Sequence, residues 1–229
     1  ADKTYEAVIK LGVATDSGDA EGQVIATSPV DVSETQVMGV LPRFSGDILQ
    51  VPPMHSALKR DGRPLYELAR QGIEVEREPR AVRIYRIDCL AFAGDTLTLR
   101  VACSKGTYIR VLAADIGQAL GCGAHLIALR RTAVGNLLLA GAFSLADLEL
   151  LDEAERLKRL SPVDALLSSL PRVDLAPAEA ERFRHGNPVP LPLGLDGKIR
   201  VYADERLIGV GEPGNAGLLW PKRLVQLAI

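Results

Sequence analysis

The stretch Cys103-Ser104-Lys105-Gly106-Thr107-Tyr108-Ile109-Arg110 joins a strand pattern to a helix pattern, and it places a glycine, a phenol, an ammonium and a guanidinium in one bend. Apolar residues alternate before it and recur at helical spacing over residues 109–120 after it. The pattern predicts a strand-turn-helix junction, with Thr107 as the helix N-cap and Gly121 at the helix end. Such a bend can hold a base and a phosphate side by side.

Further strand and helix signals surround this junction. Residues 80–93 and 96–103 predict a hairpin with Gly94-Asp95 at its turn. Alternating apolar residues predict two more strands, at residues 5–13 and 125–134. Ser33 with Gln36 predicts a capping box at the start of another helix.

Residues 51–80 interrupt the strand pattern. Pro52-Pro53 excludes a central strand or a helix interior, and a short helix is predicted from Pro64 to Gly72. Residues 59–86 carry eight basic and five acidic side chains. The formal net charge is −2, but this segregation allows a local basic face.

The last third of the chain has different signals. Ser144 with Asp147 predicts a helix that runs to about Leu160, and Ser161-Pro162 predicts the start of another. Residues 171–176 are interpreted as a linker. A short helix at residues 178–184 and four short strands then predict a small, mostly β barrel of about 55 residues. The four strands are predicted at residues 198–203, 207–212, 217–220 and 223–227.

Composition narrows the class of protein. Among 229 residues there is no apolar run long enough for a membrane span. Three cysteines without C-x-x-C spacing indicate a reduced, cytoplasmic protein, and three scattered histidines argue against a metal site. The chain starts at Ala1 without a signal-peptide pattern, and we expect it to be cut from something longer or to have lost a short leader.

Several motifs together resemble the TruB family of bacterial tRNA pseudouridine synthases. The motifs that carry the resemblance are the Thr15-Asp16…Asp19…Gly22 loop, Pro52-Pro53…Ser56-Ala57-Leu58-Lys59, Tyr66-Glu67…Ala69-Arg70-Gln71-Gly72-Ile73, residues 104–110, Gly121-Cys122-Gly123-Ala124-His125 and Leu129-Arg130-Arg131. The tail, with His185-Gly186-Asn187-Pro188 and Pro221-Lys222-Arg223, resembles a PUA domain. The resemblance covers essentially the whole chain, in order.

The resemblance implies an α/β (α+β) fold. Residues 1–170 would form the catalytic domain, with a mixed, mainly antiparallel sheet and a thumb-like insertion at about 51–80. Residues 171–229 would form a small PUA-like β-barrel that binds RNA.

The resemblance also implies a reaction. The family isomerises a flipped-out uridine of the tRNA T-loop to pseudouridine: the N-glycosidic bond breaks, the base turns, and C5 takes the sugar. The nucleophile is an aspartate in a Gly-x-Leu-Asp-Pro-like segment. The chain contains no such segment, so we expect this aspartate upstream of Ala1 and expect residues 1–229 alone to be inactive. Conversion of a T-loop uridine by residues 1–229 unaided would contradict this expectation.

Site residues follow from the resemblance one by one. Arg110 matches the arginine that pairs with the catalytic aspartate. Tyr5 matches the tyrosine that stacks on the base and helps to remove its C5 proton. Tyr108 and Leu129 match base contacts, and Leu129 is also expected to be a core residue. Lys105 is expected to contact either a phosphate or a carboxylate. Each residue also has a purely structural alternative. Arg110 would be a surface arginine, Tyr5 a core residue and Tyr108 a half-buried tyrosine. Leu129 would serve packing alone.

The insertion would supply RNA-backbone contacts, from Lys59, Arg60, Arg63 and Arg70, although a solvated charged face explains each of these equally well. The expected partner is the T-loop and stem of tRNA. No cofactor, metal, membrane or protein partner is implied, and a monomer is expected.

Two other hypotheses stay open at this point. The absent nucleophile beside intact binding motifs fits a non-catalytic RNA-binding or tRNA-chaperone module. A regulatory domain without an RNA partner is the third possibility. Binding of tRNA that does not weaken with added salt would favour the third.

Overall fold

The computed structural model describes residues 1–60 and 62–225. The chain divides into two compact units, Ala1–Ala142 and Phe143–Ile229. The domain boundary expected near residue 170 stays a prediction.

The first unit is built mainly from strands. Its elements are β1 (Lys3–Leu11), β2 (Val13–Thr15), β3 (Val24–Thr27), α1 (Glu34–Val40), a 3-10 helix (Leu41–Phe44), β4 (Gly46–Gln50), β5 (Lys59–Arg60), β6 (Arg63–Pro64), α2 (Leu65–Arg70), β7 (Arg80–Ala93), β8 (Thr96–Cys103), α3 (Ile109–Ala119), β9 (Ala124–Val134), β10 (Leu137–Leu138) and a 3-10 helix (Leu139–Gly141).

Six of these strands form one antiparallel sheet in the order β10-β9-β1-β8-β7-β4. The predicted hairpin is β7 and β8, and Gly94 supplies the positive φ of +60° at its turn. The capping box of Ser33 and Gln36 is confirmed at the start of α1. The expected α+β fold with a mainly antiparallel sheet is therefore confirmed.

Helix α3 packs on one face of this sheet. Alternate residues of β1 and β8 are buried there with Leu112 and Ile116 of the helix. Full burial of such an aliphatic side chain contributes about 1.5–3 kcal/mol. Gly117 allows the close approach of α3 to β9, because a Cβ at this position would lie 2.3 Å from the backbone nitrogen of Ala124.

The insertion leaves and rejoins the sheet at a paired position. Gln50, the last residue of β4, is the register partner of Arg80, the first residue of β7. Between them lie the β5–β6 hairpin and α2. Pro64 is the N-cap residue of α2, and Gly72, at φ +71°, follows its end as predicted.

The second unit combines short helices with a five-stranded sheet. Its elements are α4 (Leu145–Glu149), α5 (Glu153–Lys158), a 3-10 helix (Ala165–Leu167), β11 (Arg172–Asp174), α6 (Pro177–Arg184), β12 (Val189–Pro190), β13 (Ile199–Ala203), β14 (Arg206–Pro213), a 3-10 helix (Asn215–Gly217) and β15 (Leu218–Leu224). The strand order is β11-β13-β14-β15-β12. Its core surrounds Phe183 of α6.

The capping box of Ser144 and Asp147 is confirmed at the start of α4, but two helix predictions in this unit are corrected. The helix expected from Ser144 to about Leu160 is two helices, because the Asp152 side chain accepts a hydrogen bond from the Glu155 N–H at 2.8 Å and starts α5 afresh. Ser161-Pro162 leads into a turn and then a short 3-10 helix.

Two strand predictions are also corrected. Residues 171–176, expected to be a linker, contain β11, which pairs in parallel with β13. The strands expected at residues 217–220 and 223–227 are one strand, β15, because a register irregularity opposite Val210 and Gly211 accommodates Pro221. Residues 226 and 227 of that prediction lie outside the described residues.

The helices are short. Within residues 1–60 and 62–225, no helix is long and apolar enough to cross a membrane.

Candidate functional site

The junction between β8 and α3 is fixed by side-chain and backbone hydrogen bonds. The Ser104 hydroxyl accepts from the Arg83 N–H at 2.9 Å, and the Ser104 N–H donates to the Arg83 carbonyl at 2.8 Å. Gly106 supplies the turn at φ +87°. The Thr107 hydroxyl donates to the Ser104 carbonyl at 3.0 Å. The N-cap residue is therefore Tyr108, not Thr107, whose hydroxyl serves the turn.

Tyr108 caps α3 without a side-chain cap of its own. Its backbone is bonded instead by Gln50, whose side chain is buried at 2% exposure. The Tyr108 N–H donates to Gln50 Oε1 at 3.0 Å, and Gln50 Nε2 donates to the Tyr108 carbonyl at 3.3 Å. Gln50 was not among the predicted site residues, because a polar residue shortly before Pro52-Pro53 carries no local sign of burial.

Arg110 lines a cleft of about 640 Å³. One wall is the loop after β2, and the opposite side chains come from the insertion. The lining residues are Asp16, Ser17, Asp19, Glu21, Gly22, Gln23, His55, Tyr66, Arg70 and Arg110. The structure therefore brings Arg110 and Arg70 into one cleft, together with a tyrosine and a histidine that offer flat ring faces.

The loop after β2 is held close to Arg110. A Cβ at Gly18, which has φ +69°, would lie 3.2 Å from the Arg110 carbonyl oxygen. The Leu126 N–H donates to the Gly18 carbonyl at 3.0 Å, and the Thr15 hydroxyl donates to the Asp19 carbonyl at 2.9 Å. In the sequence this loop stood out only as a motif of the family resemblance, and its position in the cleft of Arg110, with Asp19, is seen only in the structure.

Opposite charges therefore share the cleft. Asp16, Asp19 and Glu21 line it with the guanidiniums of Arg70 and Arg110. A guanidinium favours the ionised form of a nearby carboxylate and also attracts phosphate. The arrangement suits a polar ligand that carries anionic groups and a planar ring.

Tyr5 and Leu129 lie on the neighbouring strands β1 and β9. Tyr5 pairs with Arg131 and Ala7 pairs with Leu129, so that these side chains share the sheet face that α3 covers. Tyr5 is 8% exposed, which places its ring at the edge of the core. Leu129 is 47% exposed. The expectation that Leu129 is a core residue is wrong, because about half of its surface stays accessible although its register partner Ala7 is fully buried.

The four residues that are expected to contact the RNA backbone are exposed. Arg60 donates to the Glu76 carbonyl at 2.6 Å and Arg63 to Gln71 Oε1 at 3.2 Å, while the Arg70 guanidinium lies 5.5 Å from the ring centre of Tyr66. Lys59 and Lys105 are also exposed. Both alternatives for Lys105, a phosphate or a carboxylate, therefore stay predictions.

Burial changes the pKa of one side chain next to the junction, the thiol of Cys103. Burial raises the pKa of the Cys103 thiol above its usual value, and the Thr107 hydroxyl opposes this shift. Cys103 is thus a neutral core residue at the end of β8. Among residues 1–60 and 62–225, no cluster of histidine, cysteine, aspartate and glutamate could hold a metal ion.

Three family models match the chain in succession. The model of the TruB family pseudouridylate synthase (N terminal domain) matches residues 1–109, that of the tRNA pseudouridylate synthase B C-terminal domain matches residues 110–168, and that of pseudouridine synthase II TruB, C-terminal, matches residues 171–225.

Curated relatives match over the whole chain. Identity is 76% over 228 residues to the tRNA pseudouridine synthase B of Dechloromonas aromatica (strain RCB), covering 100% of this chain and 76% of the relative. Identity is 54% over 238 residues to the protein of the same name from Ralstonia nicotianae, covering 99% of this chain and 76% of the relative.

Solved structures share the fold. The crystal structure of a Cbf5-Nop10-Gar1 complex has a chain that matches with a TM-score of 0.72 at 24% identity, covering 98% of this chain and 66% of that one. A structure of an H/ACA RNP bound to a substrate RNA containing 2'-deoxyuridine has a chain that matches with a TM-score of 0.70 at 21% identity, covering 99% of this chain and 67% of that one.

Proposed function

The chain belongs to the TruB family of pseudouridylate synthases, and we propose that the protein isomerises a flipped-out uridine of the tRNA T-loop to pseudouridine. The observation that carries the proposal is the cleft that Arg110 lines together with His55, Tyr66 and Arg70 of the thumb-like insertion. A cleft between a guanidinium and aromatic side chains can receive a base and its phosphates together.

The proposed reaction conserves all atoms. The bond between N1 and the sugar C1′ breaks, the uracil turns, C5 bonds to C1′, and the C5 proton leaves while N1 gains a proton. No electron or phosphoryl donor is consumed, and we therefore propose no cofactor.

Each site residue has a proposed role. Arg110 holds the nucleophilic carboxylate in its ionised form, because a nearby cation favours the charged state. Tyr5 stacks on the flipped uracil and helps to remove its C5 proton. Tyr108 and Leu129 are not among the residues that line the cleft of Arg110, and they are proposed to contact the flipped base from the turn before α3 and from β9. The 47% exposure of Leu129 supports this role, since an apolar side chain left open in a site can be covered by a base. Lys105, which is exposed, contacts a phosphate or a carboxylate.

The insertion is proposed to bind the T-loop and stem. Its exposed cations are placed to neutralise phosphates without reading sequence. They are Lys59, Arg60, Arg63 and Arg70.

We also propose that the protein acts as a monomer, without a protein partner, in the cytoplasm. The three cysteines are not disulfide-bonded, in keeping with a reducing compartment.

The experiment follows tritium release from tRNA labelled at C5 of uridine, with the intact natural protein. One tritium should enter water for each pseudouridine formed, and none should be released when the T-loop uridine is replaced by cytidine. Salt-sensitive tRNA binding without tritium release would overturn the proposal in favour of the RNA-binding module. Absence of salt-sensitive binding would favour the regulatory domain.

A further inference from the structure

We propose that Gln50 is a positioning residue that fixes the Tyr108–Arg110 turn to the root of the thumb-like insertion. The inference rests on the proposed function and adds to it a residue that couples substrate binding by the insertion to the geometry of Arg110. The coupling runs through one buried side-chain amide.

The first observation is the pair of hydrogen bonds to one residue. Gln50 accepts from the Tyr108 N–H at 3.0 Å and donates to the Tyr108 carbonyl at 3.3 Å. A carboxamide has both a donor and an acceptor in one plane, so it can satisfy both backbone groups of a residue at once. At 2% exposure, Gln50 has no room to exchange these bonds for water.

The second observation is the place of Gln50 in the sheet. It ends β4 and pairs with Arg80, so the insertion leaves and rejoins the sheet at this position. Pro52-Pro53 follows after a single residue, Val51, and stiffens the exit of the chain. Any change at the root of the insertion therefore acts on the residue that holds Tyr108.

The third observation concerns the helix start, where the Tyr108 carbonyl also accepts from the Leu112 N–H at 3.1 Å, while the Tyr108 N–H is bonded by Gln50. Tyr108 caps α3 without a side-chain cap, and Arg110 stands in the first turn of that helix. A rotation of the Tyr108 peptide groups would therefore displace the Arg110 guanidinium. A displacement of about 1 Å in a catalytic group can lower a rate about a hundredfold.

The main test compares Gln50→Met with Gln118→Met in the intact natural protein. Methionine keeps the length of the side chain and removes both hydrogen bonds, while Gln118 is exposed on α3 and serves as the matched control. Gln50→Met should lower kcat by about 10- to 100-fold and leave KM for tRNA nearly unchanged, because only positioning is lost. An unchanged kcat, or a change confined to KM, would overturn the proposal.

A second variant separates positioning from general loss of structure. In Gln50→Glu, the introduced carboxyl can accept from the Tyr108 N–H but repels the Tyr108 carbonyl when ionised. Burial raises the pKa of a carboxyl, and its protonated form restores both hydrogen bonds. The activity of Gln50→Glu relative to wild type should rise as pH falls, whereas the ratio for Gln50→Met should stay flat. Two flat ratios would contradict the proposal.

A third readout does not depend on activity. Hydrogen exchange at the Tyr108 amide should be slow in the wild type and at least about tenfold faster in Gln50→Met, with the Ile116 amide in α3 unchanged. Slow Tyr108 exchange in the variant would overturn the role of Gln50. If the wild type releases no tritium but the exchange rates of wild type and Gln50→Met still differ, only the proposed function is overturned.

Discussion

The guanidinium of Arg131 lies over the ring of Tyr5, with its central carbon 5.6 Å from the ring centre. The two residues face each other across β1 and β9. A cation above an aromatic ring contributes about 0.5–1 kcal/mol at such a partly exposed place. The Tyr5 ring is thus held between the core and a charged side chain, and a base that stacks on it must share the ring with Arg131.

Replacing Tyr5 separates the two roles proposed for it. Tyr5→Phe keeps the ring face and loses the phenol, so tRNA affinity should be retained while tritium release slows by at least about tenfold, as expected for a lost proton-transfer group. Tyr5→Leu should in addition weaken affinity, because base stacking contributes about 1–3 kcal/mol. Equal kinetics of Tyr5→Phe and wild type would remove Tyr5 from the proton transfer.

Arg110→Lys keeps the charge and loses the planar fork of donors. We expect kcat to fall by about 100-fold or more, comparable to the loss of one preorganised electrostatic contact in other enzymes. Single-turnover rates with saturating enzyme would measure this, and Arg43→Lys, at an exposed position of the 3-10 helix after α1, is the matched control. Wild-type rates in Arg110→Lys would show that charge alone suffices.

Lys59→Ala tests phosphate binding by the insertion. Lys59 is exposed, and removing one phosphate contact should weaken tRNA binding and reduce the slope of log K against log salt by about 1. Lys158→Ala is the control, because Lys158 is already paired with Glu155 at 2.6 Å. An unchanged slope in Lys59→Ala would mean that Lys59 belongs to a solvated charged face.

Gly214→Ala tests close packing in the second unit. A Cβ there would lie 2.2 Å from Cδ1 of Trp220, the single tryptophan of the chain, so the indole must move. We expect a shifted fluorescence emission and a loss below about 1 kcal/mol in the free energy of unfolding, because Trp220 is 46% exposed and its indole can move towards solvent. Gly39→Ala, where a Cβ meets nothing within 4 Å, should leave the emission unchanged.

Asp115→Asn should stabilise the protein at neutral pH. Burial raises the pKa of Asp115 in α3, so its contribution to stability is present below the unfolded pKa and is lost as pH rises through the folded pKa. Asparagine has a similar helix propensity and no charge. The gain at pH 7 should be below about 1 kcal/mol, since the group is only half-buried, and should vanish near pH 3. Thermal unfolding across pH measures it, and a gain that does not change with pH would contradict this cause.

Local signals in the sequence predicted much of the fold. The hairpin at Gly94-Asp95, the capping box at Ser33 and the helix end at Gly121 all depend on residues within a few positions of one another. The predictions failed where distant residues decide. Within residues 171–176, Arg172–Asp174 form a strand only because β13 offers an edge for parallel pairing, and no local pattern indicates such a partner.

The sequence by itself determined the family, the α+β class and the turn that carries Tyr108 and Arg110. The reason is that the order of motifs, the apolar periodicity and the glycine positions can be recognised from residues that are close together in the sequence. Only the tertiary structure decided that the loop with Asp19 faces Arg110, that Leu129 is exposed, and that Gln50 bonds the Tyr108 backbone from 58 positions away. The physical reason is that burial and pairing between remote segments arise from packing, which a linear pattern does not encode residue by residue.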